Sequence, residues 1–477
     1  MAFGERRGSG RAAASLARAL ALLVGLAGAA PAWADGAYLR TYLLLGEDGA
    51  RIARAVTADV ACPSIVVDGR VQAMQMRAPA GVVAQRPTIS DLADSKPSDF
   101  ALTTCEAIVP PAAARAAVAG QALPLPPARI RRIVVIGDTG CRIKKTDNAS
   151  QACNDPAAYP FARVAAAAAR WKPDLVVHVG DYLYRETACP AGDAGCAGSP
   201  WGYGSDAWRA DFLDPAAPLM ATAPLALARG NHESCNRAGQ GWWRFLDARQ
   251  RVAGQDCDLA ANDDLGDFSA PFAVPLGEGA QLILFDSSDT INGPIAAGDV
   301  RAARYRDTYA GIEALTRRAP HNILVDHHPI LGFAAKQAKS GEIKLLPGNG
   351  GLQSVFGQLN PGLVPANVDL LLSGHIHLWE EVSFSSAHPA QFIAGFSGTQ
   401  EDTVPLPAAP PPGASPAPGA VVANMSSWIE GFGFMTMERT GADRWHVEVH
   451  DVSGAVVNSC ETRGSKAVCA KAQVGGR

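Results

Sequence analysis

Six short apolar runs in the middle of the chain alternate with segments that have a helical pattern. Apolar residues make up 48% of the chain and charged residues 18%, so a large core can form. Such alternation is typical of an α/β fold with a buried sheet. The runs cover residues 130–136, 175–179, 225–228, 281–285, 323–325 and 368–372. We therefore predict an α/β domain over residues 126–477.

Each run ends in a cluster of polar residues. The clusters are Gly137-Asp138-Thr139-Gly140, Gly180-Asp181-Tyr182-Leu183-Tyr184, Gly230-Asn231-His232-Glu233, Asp286-Ser287-Ser288-Asp289, Asp326-His327-His328-Pro329 and Gly374-His375-Ile376-His377. Sites in open α/β sheets form beyond the carboxyl ends of the strands, so these side chains are expected to converge. Carboxylate, amide, phenol and imidazole groups suit Fe, Mn and Zn. The tips therefore predict a metal site, apart from Asp286 and Asp289, for which we expect a turn or cap role.

In chain order, the motifs GDTG, GDYLY, GNHE, a histidine before x-Pro, and GHIH resemble the calcineurin-like metallophosphoesterases. Within that superfamily they are most similar to the purple acid phosphatases. The resemblance covers residues 130–380. It implies a layered β-sandwich flanked by helices (α/β/β/α) and a phosphoesterase with two metal ions, Fe(III) plus a divalent Fe, Zn or Mn. A metal pair can neutralise phosphate and supply hydroxide from bound water.

The resemblance also implies a ligand set. The first metal would be held by Asp138, Asp181, Tyr184 and His377, and the second by Asp181, Asn231, His327 and His375. Asp181 would bridge the two ions. Two details favour the purple branch, because Gly140 stands where the common D-x-H motif places histidine, and Tyr184 stands where the purple enzymes carry tyrosine.

The fifth motif leaves two histidines open as the ligand. Counting V-x-x-H from Val325 selects His328, whereas the H-x-Pro context selects His327, which we prefer. Neighbouring residues on an extended chain point in opposite directions, so His328 would then face the substrate.

Substrate binding is assigned to residues beside the ligands. His232 and His328 are candidates for binding the phosphoryl group or protonating the leaving alkoxide, and Asn231 would contact the substrate as well. Arg237 could neutralise substrate charge, although a solvated surface arginine is the usual explanation. His178 is predicted to be a buried supporting histidine, and Trp242 and Trp243 to pack in the core.

The predicted activity is hydrolysis of phosphate monoesters by attack of a metal-bound hydroxide. The alternatives are a phosphodiesterase or nucleotidase on the same metals, a zinc-only amide hydrolase, and a non-catalytic surface binding module. The Cys189–Cys196 insertion and loop 404–420 are expected to shape the leaving-group side. The net charge of −4 does not favour nucleic-acid binding. The expected partner is a small phosphate ester, and the oligomeric state is left open.

The N-terminus has the features of a signal peptide over residues 1–34. A basic start is followed by a short apolar stretch, 19–30, and by Ala32-Trp33-Ala34, an A-x-A site. We predict cleavage before Asp35, a secreted or periplasmic protein and no membrane insertion after cleavage. An uncleaved anchor helix is the alternative.

All ten cysteines follow this segment, and in an oxidising compartment they are expected to form disulfides. Their spacing suggests the local pairs Cys62–Cys105, Cys141–Cys153, Cys189–Cys196, Cys235–Cys257 and Cys460–Cys469.

Residues 35–125 contain short extended segments between Gly, Pro and Asp turns, which predicts a small β-rich N-terminal domain. The proline-rich loop 404–420 and a closing C-terminal β-hairpin are assigned to the catalytic domain.

Overall fold

The structure is a computed structural model that describes residues 38–401, 404–407 and 410–470. The predicted signal peptide and its cleavage site lie outside the described residues. Among the described residues, no helix has both the length and the apolar character needed to cross a bilayer.

Two large sheets lie face to face. The first has 11 strands and the second has seven. In spatial order, the strands of the first sheet are Lys466–Cys469, Val456–Arg463, Arg444–Asp451, Gly433–Arg439, Arg132–Ile136, Leu175–His178, Leu225–Leu227, Leu39–Leu45, Arg51–Thr57, Thr103–Val109 and Gln75–Ala78. Those of the second are Phe272–Gly277, Ala280–Leu284, His321–Val325, Val368–Ser373, Ala390–Ala394, Trp379–Phe384 and Val422–Trp428.

The core between the sheets is made by alternate residues of both. Val135 and Val177 of the first sheet belong to one buried cluster with Val325 and Leu372 of the second. Burial of apolar surface on both faces explains why the predicted runs are almost continuously hydrophobic. The six runs form two triplets of parallel strands, one in each sheet.

Helices cover the outer faces and complete the α/β/β/α layers, which confirms the predicted fold. Phe161–Arg170 packs on the first sheet, where Val164 joins the same cluster as Val134. Val300–Thr316 and Gly350–Leu359 cover the second sheet. The side chains of Asp299 and Asn349 accept backbone hydrogen bonds at the starts of these two helices and define where they begin. The short helices are Ser205–Trp208, Ala217–Met220, Gly239–Gly241 and Asp263–Gly266.

The N-terminal region is β-rich, as the sequence predicts, but its strands continue the first large sheet. Leu39–Leu45 pairs in parallel with Leu225–Leu227 and antiparallel with Arg51–Thr57. Tyr42 lies in the same buried cluster as Trp208. Smaller sheets complete the region, with strands Ser64–Val67, Arg70–Ala73, Ala116–Val118 and Gln121–Ala122 in one and Gly81–Val83 and Ser98–Phe100 in another.

All five predicted disulfides are present, and the described residues contain no free cysteine. At the C-terminus, Gly433–Arg439 pairs antiparallel with Arg444–Asp451, and two further strands extend this hairpin. The remaining strands form two short hairpins, Ile143–Lys144 with Ala149–Ser150 and Ala334–Gln337 with Ile343–Leu346.

Candidate metal centre

The carboxyl ends of the two strand triplets meet at one edge of the sandwich. Three residues there have left-handed backbone conformations, with φ of 53° at Asp138, 61° at Asp181 and 71° at His375. Such angles are uncommon for residues other than glycine and concentrate at functional sites. The turns direct these side chains toward one another.

A first donor cluster surrounds the phenol oxygen of Tyr184. This oxygen lies 2.8 Å from Asp138 Oδ1, 2.8 Å from Asp181 Oδ2 and 3.0 Å from His377 Nε2. Tyr184 and both carboxylates, Asp138 and Asp181, are buried. These are the four residues that the family resemblance implies as ligands of the first metal.

A second donor cluster surrounds the amide oxygen of Asn231. Asn231 Oδ1 lies 3.0 Å from His327 Nε2 and 3.1 Å from His375 Nδ1. His327 Nε2 is also 3.1 Å from Asp181 Oδ2. The same carboxylate oxygen therefore belongs to both clusters, which is the arrangement that a bridging ligand requires.

His327 lies in the second cluster, and His328 lies beside it, since one ring nitrogen each from His327, His328 and His375 lie within 4.8 Å of one another. His327 Nδ1 donates to the carbonyl of Val179 at 3.0 Å, so Nε2 is the nitrogen that faces Asn231 and Asp181 and could bind a metal. This orientation by a backbone carbonyl is common for metal-binding histidines. The ring of His328 lies 4.3 Å from that of His375, and its Nδ1 is 3.0 Å from Ser287 Oγ.

The electrostatics of the protein groups favour a cation here. Burial, followed by the Asp138 and Asp181 carboxylates, raises the pKa of Tyr184 well above 10, so a phenolate at this position requires a positive ion. Burial lowers the pKa of His327, but Asp181 outweighs it and raises the pKa to about 9. Burial and the neighbouring His327 lower the pKa of His375 to about 3.

The atoms around Gly140 leave no room for a side chain at this position. A Cβ atom at this position would lie 2.7 Å from Tyr184 N and 2.8 Å from both Asp211 Oδ2 and Tyr182 O. A histidine therefore cannot replace Gly140 without moving the backbone that carries Tyr184. The position of Tyr184 therefore requires glycine at residue 140, because any side chain there would collide with the Tyr184 backbone.

Three supporting residues were not assigned by sequence reasoning. The Glu233 carboxylate accepts the amides of Gly230, Asp181, Tyr182 and Leu183 at 2.8–3.2 Å, and thus holds the second motif against the third. Asp211 accepts the amide of Tyr184 at 2.8 Å. Glu233 was part of a quoted motif, whereas Asp211 has no sequence signal.

The third is Ser287, on the tip for which only turn and cap roles were expected. Its hydroxyl accepts the amides of His327 and His328, each at 3.2 Å. Asp286 does make the expected turn, because it accepts the amide of Ser288 at 3.0 Å. The sixth tip therefore also positions the histidine pair.

The residues with predicted structural roles are buried. His178 is fully buried, with Nε2 3.0 Å from Thr139 Oγ1 and Nδ1 accepting the amide of Gly180. Burial lowers the pKa of His178 well below 6.5, so the ring is neutral. Trp242 and Trp243 lie in the core.

His232 and Arg237 lie on the Tyr184 side of the centre. The His232 ring is 3.7 Å from the Tyr184 ring, and its Nδ1 donates to the carbonyl of Leu183 at 3.0 Å. Arg237 is not a solvated surface residue, because it is buried and its Nε donates to Glu186 at 3.0 Å. Burial, followed by Arg237, lowers the pKa of His232 well below 6.5.

A cavity of about 480 Å³ opens on the other side, next to His375. It is lined by Asn292, Pro329, Phe333, Ala334, Leu346 and Asn349, among others. Among the described residues, neither the Cys189–Cys196 insertion nor loop 404–420 lines it, and in that loop the carbonyl of Pro416 accepts the amide of Gly348 at 3.0 Å. The hairpin of Ala334–Gln337 and Ile343–Leu346 contributes Ala334 and Leu346 to the cavity wall.

Residues 131–378 match the family model for calcineurin-like phosphoesterases. No curated protein sequence matches the chain. Among solved structures, it is similar to purple acid phosphatase PPD1 from yellow lupin (Lupinus luteus) seeds, with 13% identity, a TM-score of 0.52, and coverage of 89% of this chain and 74% of that one. It is also similar to PhoD, with 12% identity, a TM-score of 0.53, and coverage of 94% and 95%. At these identities the likeness shows a shared fold.

Proposed function

Because the chain belongs to the calcineurin-like phosphoesterase family, we propose that it hydrolyses phosphate monoesters with two metal ions. The observation that carries the proposal is the pair of donor clusters that share Asp181 Oδ2. The bound ions would neutralise the phosphate and activate water as the nucleophile.

We assign Fe(III) to the Tyr184 cluster and a divalent Fe, Zn or Mn ion to the Asn231 cluster. The first set joins two carboxylates and a phenol with one imidazole, and this oxygen-rich set suits the harder, more highly charged ion. The second set has two imidazoles, an amide and the shared carboxylate, which suit a borderline divalent ion. The contact of Gly140 with the Tyr184 backbone supports the purple-type set.

His232, His328, Asn231 and Arg237 would bind the substrate. Burial lowers the pKa of His232 and of His328 well below 6.5, so both rings are neutral near pH 7. The single N–H of neutral His232 is bonded to the Leu183 carbonyl, so its Nε2 would donate to a phosphoryl oxygen only after the ring is protonated, whereas His328 would donate as a neutral ring. Either ring is a strong acid once protonated, which suits protonation of a leaving alkoxide at acidic pH. Arg237 would add a buried positive charge on the His232 side.

We also propose that the protein is exported. The five disulfides support an oxidising compartment, outside the cell or in a periplasm. The signal-like composition of residues 1–34 supports the same compartment.

The substitution Asp181→Asn tests the bridging role. It keeps the shape of the side chain but removes the charge that both clusters share, so we expect loss of metal and a fall in kcat/KM of about a thousandfold or more. Bound metal is measured by elemental analysis and activity with 4-nitrophenyl phosphate. Asp99→Asn, the same change at an exposed position of a strand, is the control. Full metal content and activity in Asp181→Asn would disprove the assignment.

The substitution Tyr184→Phe tests the iron. We expect one iron per chain in the native protein and a visible absorbance band that disappears in the variant. Tyr305→Phe is the control, because Tyr305 is buried and its hydroxyl has no hydrogen-bond partner within the described part of the chain. A colourless protein that contains only Zn or Mn would contradict the purple-type assignment.

Substrate class is tested with matched esters. We expect faster hydrolysis of 4-nitrophenyl phosphate than of bis(4-nitrophenyl) phosphate. The opposite preference would support the phosphodiesterase alternative on the same metal site.

A further inference from the structure

One wall of the cavity beside His375 is a two-stranded hairpin, which we call the pocket hairpin. It consists of strands Ala334–Gln337 and Ile343–Leu346. In its register, Ala334 lies opposite Leu346 and Lys336 lies opposite Lys344. Directly opposed residues of an antiparallel pair have their side chains on the same face.

The two faces of the pocket hairpin have different environments. Ala335 and Leu345 pack against the hydrophobic core beneath the hairpin. Ala334 and Leu346 line the cavity. Because side chains alternate between faces along a strand, Lys336 and Lys344 lie on the same face as Ala334 and Leu346. The lysine pair is therefore at the rim of the cavity, two residues along each strand from its wall.

The lysine pair places two positive charges directly opposite each other. Both side chains are exposed, and within the residues that the structure describes neither ammonium forms an ion pair. Like charges directly opposite each other destabilise a strand pair. A dianion between the two ammonium groups would remove this repulsion, and lysine is a common phosphate ligand.

The cavity between His375 and the lysine pair is mainly apolar. Its lining includes Pro294, Pro329, Phe333 and Leu346, and among the described residues that line it there is no carboxylate and no lysine or arginine. Such a surface suits a carbon skeleton and disfavours a charge. A strand rises about 3.3 Å per residue, so the lysine positions are roughly 7 Å beyond Ala334 and Leu346.

We propose that the cavity holds the leaving group of the ester and that Lys336 and Lys344 bind a second phosphate at the far end of that group. The preferred substrates would then be bisphosphates in which an apolar spacer separates the two phosphates. This inference rests on the proposed phosphatase function, since it places the scissile phosphate at the metal centre. It gives the lysine pair a role in specificity, without participation in bond cleavage.

The test compares hexyl phosphate with hexane-1,6-diol bisphosphate, which differ only in the second phosphate. In the metal-loaded enzyme, kcat/KM should be about tenfold higher for the bisphosphate, mainly through a lower KM. In the double variant Lys336→Gln/Lys344→Gln, this preference should fall to about twofold or less. Lys339→Gln is the control, since Lys339 lies in the turn of the same hairpin and should leave the preference unchanged.

The possible outcomes separate the two proposals. Equal kcat/KM for both esters in the native enzyme, or an unchanged preference in the double variant, would overturn the role of the lysine pair. Failure of the native enzyme to hydrolyse either ester would instead overturn the phosphatase function. Calorimetric binding of hexane-1,6-diol bisphosphate would then still test the lysine pair, because the double variant should bind it about tenfold more weakly and equal binding would refute the inference.

Discussion

Gly230 illustrates how closely the backbone approaches the metal centre. A Cβ atom at this position would lie 2.1 Å from Asp181 Oδ1 and 2.3 Å from Asp181 N. The second and third motifs therefore touch through a residue that has no side chain. The glycine of GNHE is required for this contact, and the asparagine and histidine after it depend on it for their position.

We predict that Gly230→Ala displaces Asp181 and reduces both bound metal and activity. A misplacement of about 1 Å costs on the order of a hundredfold in rate, so kcat/KM should fall by at least that factor. Elemental analysis and 4-nitrophenyl phosphate hydrolysis measure the effect. Gly298→Ala is the matched control, because nothing lies within 4 Å of a Cβ there. Wild-type metal content in Gly230→Ala would show that the contact is not restrictive.

At the level of elements, strand Trp379–Phe384 carries a carboxyl group inside the second sheet. Glu380 is fully buried, and its carboxyl oxygens accept the amide of Phe333 at 3.0 and 3.3 Å. Burial raises the pKa of Glu380 from 4.5 to about 8. Phe333 lines the cavity, so this carboxyl group supports the cavity wall from below.

This carboxyl group predicts a pH-dependent loss of stability. Between pH 4.5 and 8 the unfolded chain releases the Glu380 proton while the folded protein retains it, so the free energy of unfolding falls by up to about 1.4 kcal/mol per pH unit. Glu380→Gln removes this loss and keeps an acceptor for Phe333. We expect the variant to gain roughly 3 kcal/mol relative to wild type between pH 5 and pH 8.

Urea unfolding at both pH values measures this gain. The control is Glu438→Gln, the same change on an exposed strand position, which should show no such pH dependence. An equal difference between Glu380→Gln and wild type at pH 5 and pH 8 would contradict the assignment.

At the level of the whole molecule, the disulfides close loops of very different size. Cys62–Cys105 spans 43 residues and Cys189–Cys196 spans 7. In each pair one cysteine is buried and the other half-buried, so the cost of removing the side chains is similar. Loop length is then the main difference between the two pairs.

We predict that Cys62→Ala/Cys105→Ala is the more destabilising double variant. Chain entropy gives a loss of about 4 kcal/mol for the longer loop and about 2 kcal/mol for the shorter one. Urea unfolding of both variants provides the measurement. Equal losses would mean that loop closure in the unfolded chain does not govern the stabilisation.

The sequence by itself determined the layers, the six tips and the five disulfide pairs. Strand runs and glycine turns are visible locally, because burial on both faces demands continuous apolar residues and sharp turns demand glycine or proline. Cysteines close in sequence pair because short loops cost little entropy. Ligand types such as the carboxylate of Asp138 and the imidazole of His377 could also be predicted, because each tip directly follows its apolar run in the sequence.

Only the tertiary structure decided which groups meet across the sheets. It placed His327 against Asp181, set Ser287 beneath the histidine pair and formed the cavity wall from the pocket hairpin. It also joined Leu39–Leu45 to the central sheet, where the sequence predicts a small domain. These contacts join residues that are distant in sequence, and they depend on the packing of whole layers, which no local pattern contains.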